Sequence, residues 1–257
     1  MANKTSLIPL ITLIKREVNR FLRIWTQSLI PPMLTSSLFI IIFGYSLGSR
    51  ISEVAEVPYL NFILPGLLMM GVIMSAYAST SFSLFIQKFH GSIQELLVAP
   101  IAYWQIIAGF TAAAMLRSFI VGSGILAVSL LFTSITIYNV FILFSFIILV
   151  SMLFSFAGIV TALWAENFDQ INVFSTFLIT PLTYLGGVFY SVEMLPPFWA
   201  GLAKFNPILY MVDGFRYGFI GVSDVPVLYS FLVVFFLTLV FFIICVHMFR
   251  TGYKLRT

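Results

Sequence analysis

Charge is scarce in this 257-residue chain: 9% of its residues are Asp, Glu, Lys or Arg, against about 25% in soluble domains. That excludes an ordinary water-soluble globule. One cysteine, Cys245, lies inside the last apolar run. It can form no intrachain disulfide, and a thiol in apolar surroundings is inert, so the compartment has to be read from topology. The two histidines, His90 and His247, stand far apart, and neither HExxH nor a paired His/Cys spacing nor GxSxG occurs. A metal centre or a hydrolytic nucleophile therefore has no motif to rest on. There is no G-x-x-x-x-G-K-[ST] loop, so no nucleotide site is encoded. The acidic residues sit at loops or run ends, which weighs against a self-powered proton-coupled carrier. The basic residues lie beside apolar runs and form no separate patch, so no nucleic-acid partner is expected.

What the chain has is apolar length. It is 61% hydrophobic, with a mean hydropathy of +1.08. A crossing helix needs about 20 apolar residues, and six runs qualify as predicted spans: 29–47, 59–84, 103–133, 140–164, 171–190 and 227–249. Before them, residues 6–26 are amphipathic. Ile11, Ile14, Val18, Phe21 and Trp25 fall on one face, with Arg16, Asn19, Arg20, Arg23 and Gln27 largely opposite. That pattern predicts an interfacial helix facing lipid headgroups. Most of its charges follow its apolar stretch, so it does not read as a signal peptide. Gly44 and Gly48 have the small-xxx-small spacing that lets helices approach closely, a weak signal that local packing also explains. Pro65-Gly66 predicts a kink in the second span. Residues 87–100 are a polar interruption, whose centre at 92–98 reads as a short helix ended by Pro100. Arg117 lies inside the third span, where a charge costs at least ~2.5–3.5 kcal/mol on insertion scales. Glu166 or Asp169 is the expected partner, and substrate entry is the alternative role.

The most informative stretch is 179–216. It begins as a span, is broken by Pro196 and Pro197, and meets a third proline at Pro207. The two aromatic-rich segments that follow are apolar enough to enter a bilayer but too short to cross it. Irregular backbone at membrane depth is tolerated only where protein or a water-filled cavity surrounds it. A re-entrant helix pair over 191–222 is therefore expected. Within it, Pro207 is expected to start a helix, Tyr210 to anchor at the headgroups, and Arg216 to pair with Asp213 at i,i+3. Contact with a substrate is the other reading of these three residues. Phe198, Trp199 and Phe205 are candidates for contact with an amphiphile.

Topology follows from the basic residues. With six spans, Lys4, Lys15, Arg16, Arg20, Arg23, Lys88, Arg250, Lys254 and Arg256 share one side, leaving Arg50, Lys204 and Arg216 on the other. Positive charge stays inside, so both termini are expected in the cytoplasm and the broken stretch outside.

The spacing Ile179-x2-Leu182-x2-Leu185-Gly186-x-Val188-x6-Leu195-Pro196-x10-Pro207-Ile208-x-Tyr210-x5-Arg216 resembles the signature of ABC-2 type transporter permeases. The likeness covers nearly the whole chain, and is nearest to small bacterial permease subunits whose ATPase is a separate polypeptide. It implies a single all-α integral membrane domain over 1–257, with six transmembrane helices, an N-terminal interfacial helix and an outward-facing re-entrant pair between helices 5 and 6. It further implies a homodimer in the bacterial inner membrane, driven by ABC ATPase subunits that carry the ATP and Mg, with no cofactor or catalytic residue in this chain. Residues 87–100 match the family's coupling helix, with Phe89, Ile93, Glu95, Leu96 and Leu97 as the residues facing the ATPase. The cargo would be a lipid, glycan or amphiphilic compound moved outward. An ATP-independent channel or carrier and a lipid-modifying membrane enzyme are the competing classes. A fluorescent-protein reporter fused after Thr257 is expected to fluoresce and an alkaline phosphatase at the same point to be inactive; the reverse pattern would overturn the topology.

Overall fold

The computed structural model describes residues 7–47, 53–54, 56–134 and 137–254. Lys4, Gly48, Arg50 and Arg256, named above, lie outside the described residues. Helix α1 (Ile8–Arg23) and the short α2 (Trp25–Ser28) lead into α3 (Ile30–Ile41), which continues as a π-helical turn, Ile42–Leu47. A two-residue hairpin, β1 (Glu53–Val54) with β2 (Val57–Pro58), precedes α4 (Tyr59–Phe89). Then come α5 (Ile93–Val98), α6 (Tyr103–Ser129) and α7 (Val140–Trp164). The next segment is interrupted: α8 (Phe168–Phe174), a π turn (Ser175–Ile179) and α9 (Thr180–Tyr184). A 3-10 turn (Val192–Met194), α10 (Pro197–Lys204), α11 (Pro207–Ile220) and α12 (Val227–Thr251) complete the chain.

Five helical stretches among the described residues are long and apolar enough to cross a membrane: Trp25–Gly44, Tyr59–Phe89, Tyr103–Ser129, Val140–Trp164 and Val227–Thr251. The expected span at 171–190 is instead the broken α8–α9 segment. Its helix ends at Tyr184, before Gly186 and Gly187, the latter at φ +72°. The prolines placed as its breakers do something else: Pro197 opens α10, where a first-turn proline lacks only an N–H that has no helical partner anyway.

Helix α4 is the central shaft. Its most apolar stretch is 89% buried, against 17% for α12. It can sit there because its inward positions are small: Gly66, Gly71, Ser75, Ala76, Ser79, Thr80 and Ser83 are all buried. Small residues let neighbouring helices close in where the solvent is as apolar as leucine. At the contact with α7, a Cβ on Gly158 would lie 2.7 Å from the Tyr77 carbonyl oxygen, and the Thr80 hydroxyl crosses to the Ser155 carbonyl at 2.9 Å. The Tyr77 hydroxyl donates to the Ile171 carbonyl at 3.1 Å, tying α8 to the shaft.

Helix α1 lies against α6 and the foot of α4. Leu13 fills a notch over Gly109, where a Cβ would sit 2.6 Å from the leucine Cδ2. The face it buries is Leu13, Glu17 and Phe21. Of the expected apolar face only Phe21 is buried. Ile14 and Val18 are half-buried, and Ile11 and Trp25 are exposed. The buried stripe is rotated toward the protein and leaves the exposed apolar residues for lipid.

Gly158→Ala is expected to lower the thermal stability of the detergent-solubilised protein by about 1–3 kcal/mol, the usual cost of overpacking. Gly201→Ala, in α10 with nothing within 4 Å of the new Cβ, is expected to be neutral or stabilising by about 0.4–1 kcal/mol. Melting of the two variants side by side checks the contrast.

Candidate functional site

Two polar constellations mark the two ends of α4. At its C-terminal end the chain turns into α5 through Gly91 at φ +74°, a conformation only glycine adopts freely. Helix α5 stops at Val98 because Ala99, preceding Pro100, is extended. Ile93 and Leu96, one turn apart, are only 2% and 7% exposed and pack into the chain's own core. That corrects their expected outward orientation: they fasten α5 to the body. Leu97 is half-buried, while Gln94, Glu95 and Val98 form the outward face, Val98 at 86% exposure; Phe89, the last residue of α4, is also exposed.

Beside this corner lies an acid that sequence reasoning passed over. Glu17 of α1 is 2% exposed. Its Oε1 accepts from Arg16 Nη2 at 3.2 Å and Gln87 Nε2 at 3.1 Å. Its Oε2 accepts from Arg20 Nε at 3.0 Å and from the Ser83 hydroxyl. Arg16 also donates to Gln87 Oε1 at 2.8 Å, and Arg20 to the Ser79 carbonyl at 3.3 Å. The available signal was spacing: Glu17 stands four residues from both Leu13 and Phe21, so it shares their buried face.

The next residue of α4 caps another helix. Lys88 Nζ donates to the Leu163 and Ala165 carbonyls at 2.7 and 2.8 Å. Lys254, beyond α12, donates to the Trp164 carbonyl at 3.3 Å and to Glu166 at 2.6 Å. These cations sit where the last carbonyls of α7 have no helical donor. The hydrogen bond to Lys254 holds the Glu166 carboxyl below its ordinary pKa, and the same bond raises that of Lys254.

Arg117 does not meet Glu166 or Asp169. Its Nη2 donates to the Ser28 carbonyl at 2.9 Å. The reason lies four residues further on: Pro32 has no N–H, so the Ser28 carbonyl has lost its helical donor. A guanidinium from α6 takes that place.

At the opposite end of α4, Arg216 and Asp213 of α11 are 1% and 0% exposed, with Nη1 and Oδ1 3.9 Å apart, as their i,i+3 spacing predicts. Asp213 also accepts the backbone N–H groups of Asp224 and Val225 at 2.8 and 3.0 Å. Asp224 in turn accepts from the Ser191 hydroxyl and the Val192 N–H, both at 2.8 Å. Arg216 donates to the Gly187 carbonyl and lies 4.0 Å above the Phe62 ring of α4. Pro207 opens α11 as expected, behind an Asn206 N-cap. Tyr210 is not a headgroup anchor: it is 9% exposed and its hydroxyl donates to the Lys204 carbonyl, the end of α10, at 2.6 Å. Between α9 and α10 opens an apolar cavity of about 500 Å³, lined among others by Leu182, Leu185, Trp199 and Phe205. Phe198 is exposed beside Trp199, with ring centroids 5.4 Å apart.

Residues 9–220 match the ABC-2 type transporter family. The chain belongs to that family. It is 44% identical over 242 residues, 94% of each chain, to the inner membrane transport permease YadH of Escherichia coli K12. It is 24% identical over 175 residues, 67% of this chain and 66% of the relative, to nodulation protein J of Sinorhizobium fredii. A similar protein J from Rhizobium leguminosarum bv. viciae is 25% identical over 179 residues, 67% of each chain. This ABC-2 permease is thus a multi-pass membrane transport protein.

Removing one partner of a buried ion pair costs about 3–5 kcal/mol, since the other charge stays behind. Asp213→Ala is accordingly expected to melt far below the parent and to accumulate poorly, and Asp213→Asn, which keeps an acceptor, to fall between them. Detergent melting with yields by gel filtration reads the order; parent-like stability of Asp213→Ala would refute the pairing.

Proposed function

We propose that this permease is the membrane subunit of an ATP-driven exporter. Two copies pair around a pathway, and a separate ABC ATPase binds each copy at the outward face of α5. The cargo is a lipid, glycan or amphiphilic compound, moved out across the inner membrane by alternating access. ATP and Mg belong to the partner, and this chain supplies the path and the lever.

The observation that carries the reading is the placement of α5. A short helix with an exposed face of Gln94, Glu95 and Val98 hangs from the foot of α4, the most buried of the candidate spans. Val98 ends α5 and Phe89 ends α4, both exposed apolar residues at this corner, and a contiguous apolar patch there would suit a partner. Ile93 and Leu96, seated in the core, are the fastening through which a push on α5 reaches α4. The name of the Escherichia coli relative, an inner membrane transport permease, supports the compartment.

In this reading α8, the π turn and α9 form the sixth crossing. Residues 168–184 are continuously helical, about 25 Å at 1.5 Å per residue, close to the ~30 Å of a hydrocarbon core. Both termini then lie in the cytoplasm. Helices α10 and α11 are the outer re-entrant pair, and the apolar cavity between α9 and α10, with Trp199 and Phe205, offers an amphiphile a resting place near the exit.

Tagged protein purified from native membranes in mild detergent is expected to bring an ABC ATPase at equal stoichiometry, identified by mass spectrometry. Val98→Asp with Glu95→Ala, both on exposed positions, is expected to lose the ATPase at unchanged permease yield. A clean homo-oligomer with no ATPase would overturn the reading in favour of an ATP-independent channel or carrier, or a lipid-modifying enzyme.

A further inference from the structure

Glu17 is a costly residue where it stands. A carboxylate withdrawn from water loses several kcal/mol of hydration, and recovers it only with excellent pairing. The pairing here is complete: an ionised carboxylate has about four acceptor positions, and Arg16, Arg20, Ser83 and Gln87 fill them. Two donors belong to α1 and two to α4. Ser79, Ser83 and Gln87 lie one turn apart on a single stripe of α4, and every one of them bonds to Glu17 or its arginines. The stripe runs straight into the corner. The Ser92 hydroxyl, at the start of α5, donates to the Gln87 carbonyl at 3.3 Å. One chain of hydrogen bonds thus joins α1, the foot of α4 and the first residue before α5. Leu13, seated over Gly109, keys α1 to α6 one turn away.

We propose that Glu17 is a positioning residue that locks α1 to the foot of α4, so that α1 and the α4–α5 corner move as one body when a partner bears on α5. The clause about the partner rests on the coupling role given to α5 above; the lock itself does not. Without the carboxylate, Arg16 and Arg20 repel each other, and α1 keeps only the Arg16–Gln87 and Arg20–Ser79 hydrogen bonds and apolar contact to hold it to this part of the molecule. The charge need not come from position 17. Gln87 Oε1 already accepts from Arg16 at 2.8 Å, so a carboxylate at position 87 would face the same arginine from the α4 side.

The test is a spin-label distance measurement in a Cys245→Ala background, with labels on Asn19→Cys and Gln94→Cys, both exposed positions. The protein in lipid nanodiscs without any partner is expected to give one narrow α1–α5 distance. Glu17→Ala is expected to broaden it, Glu17→Gln to broaden it less, and Glu17→Gln with Gln87→Glu to restore the narrow peak. Should Glu17→Ala not yield monodisperse protein, the Glu17→Gln series carries the comparison. An unchanged distribution in the single variants, or failure of the charge transfer to restore it, overturns the lock. With the corner label moved to His90→Cys, exposed and outside α5, and the ATPase bound, adding ATP is expected to leave the parent distance unchanged; a shift there overturns the one-body motion. If no ATPase binds the parent at all, the coupling reading falls while the partner-free distances still decide the lock.

Discussion

A polar group carried into the apolar interior of this chain is costly unless it finds a partner inside the chain, and much of the architecture follows from that. Water is absent to repair a missing hydrogen bond, so each helix end and each proline creates a carbonyl that something must reach. Pro32 leaves the Ser28 carbonyl without a helical donor, and Arg117 comes from α6 to fill it. The end of α7 leaves the carbonyls of residues 163–165 open, and Lys88 and Lys254 arrive from α4 and from beyond α12. The end of α10 leaves the Lys204 carbonyl, and the Tyr210 hydroxyl takes it. The first two repairs join elements distant in sequence, and the third joins neighbouring helices. Satisfying the backbone and holding the bundle together are the same act.

The two buried acids solve the problem in different ways. Glu17 is surrounded by side-chain donors from two helices, so its bonds cross-link rigid elements. Asp213 accepts mainly from the backbone at 224 and 225, so its bonds fold a loop down onto α11. Asp224, held in that loop, then reaches Ser191 and Val192. Arg216 adds the Gly187 carbonyl and the Phe62 ring. A single helix thereby holds the loop that follows it and the 187–192 segment that precedes α10. Such clusters stabilise little relative to a well-packed apolar replacement, but any half-removed version is heavily penalised. What they supply is one arrangement of the chain in preference to its neighbours.

The long spans were legible because hydropathy over some 20 residues integrates a large signal; α7 starts and stops at 140 and 164 as read from sequence. The i,i+3 pair of Asp213 and Arg216 was legible because a helix fixes that geometry by itself. The partner of Arg117 was not, because the search was for a carboxylate and the acceptor is a carbonyl freed by a proline 85 positions away in the chain. The orientation of α5 was also hidden. Its apolar residues at 93, 96 and 97 look like a docking face, and only the position of α4 reveals that 93 and 96 turn inward. Glu17 was hidden by its neighbours: among Lys15, Arg16, Arg20 and Arg23 it reads as one more charge on a solvated face. The helix break assigned to Pro196 and Pro197 belongs to Gly186-Gly187, whose backbone freedom hydropathy does not register.

Helix α4 gives these pieces a common axis. Its 31 residues extend about 46 Å at 1.5 Å per residue, more than a hydrocarbon core requires. At one end it turns into α5 and is bound to Glu17. At the other, its first turns carry the loop that leads to α10: the Tyr59 hydroxyl bonds the Phe189 carbonyl at 3.2 Å, and a Cβ on Gly66 would lie 2.7 Å from the Val188 carbonyl oxygen. Backbone therefore touches backbone there, and only glycine allows it. Pro65, beside that glycine, removes the N–H that would bind the Asn61 carbonyl, so the helix is least stiffly bonded at the place where it meets the loop. Between these ends α4 is packed on nearly every side. In the coupling role proposed for α5, α4 is the element that joins that corner to the loop held by Arg216 and Asp213.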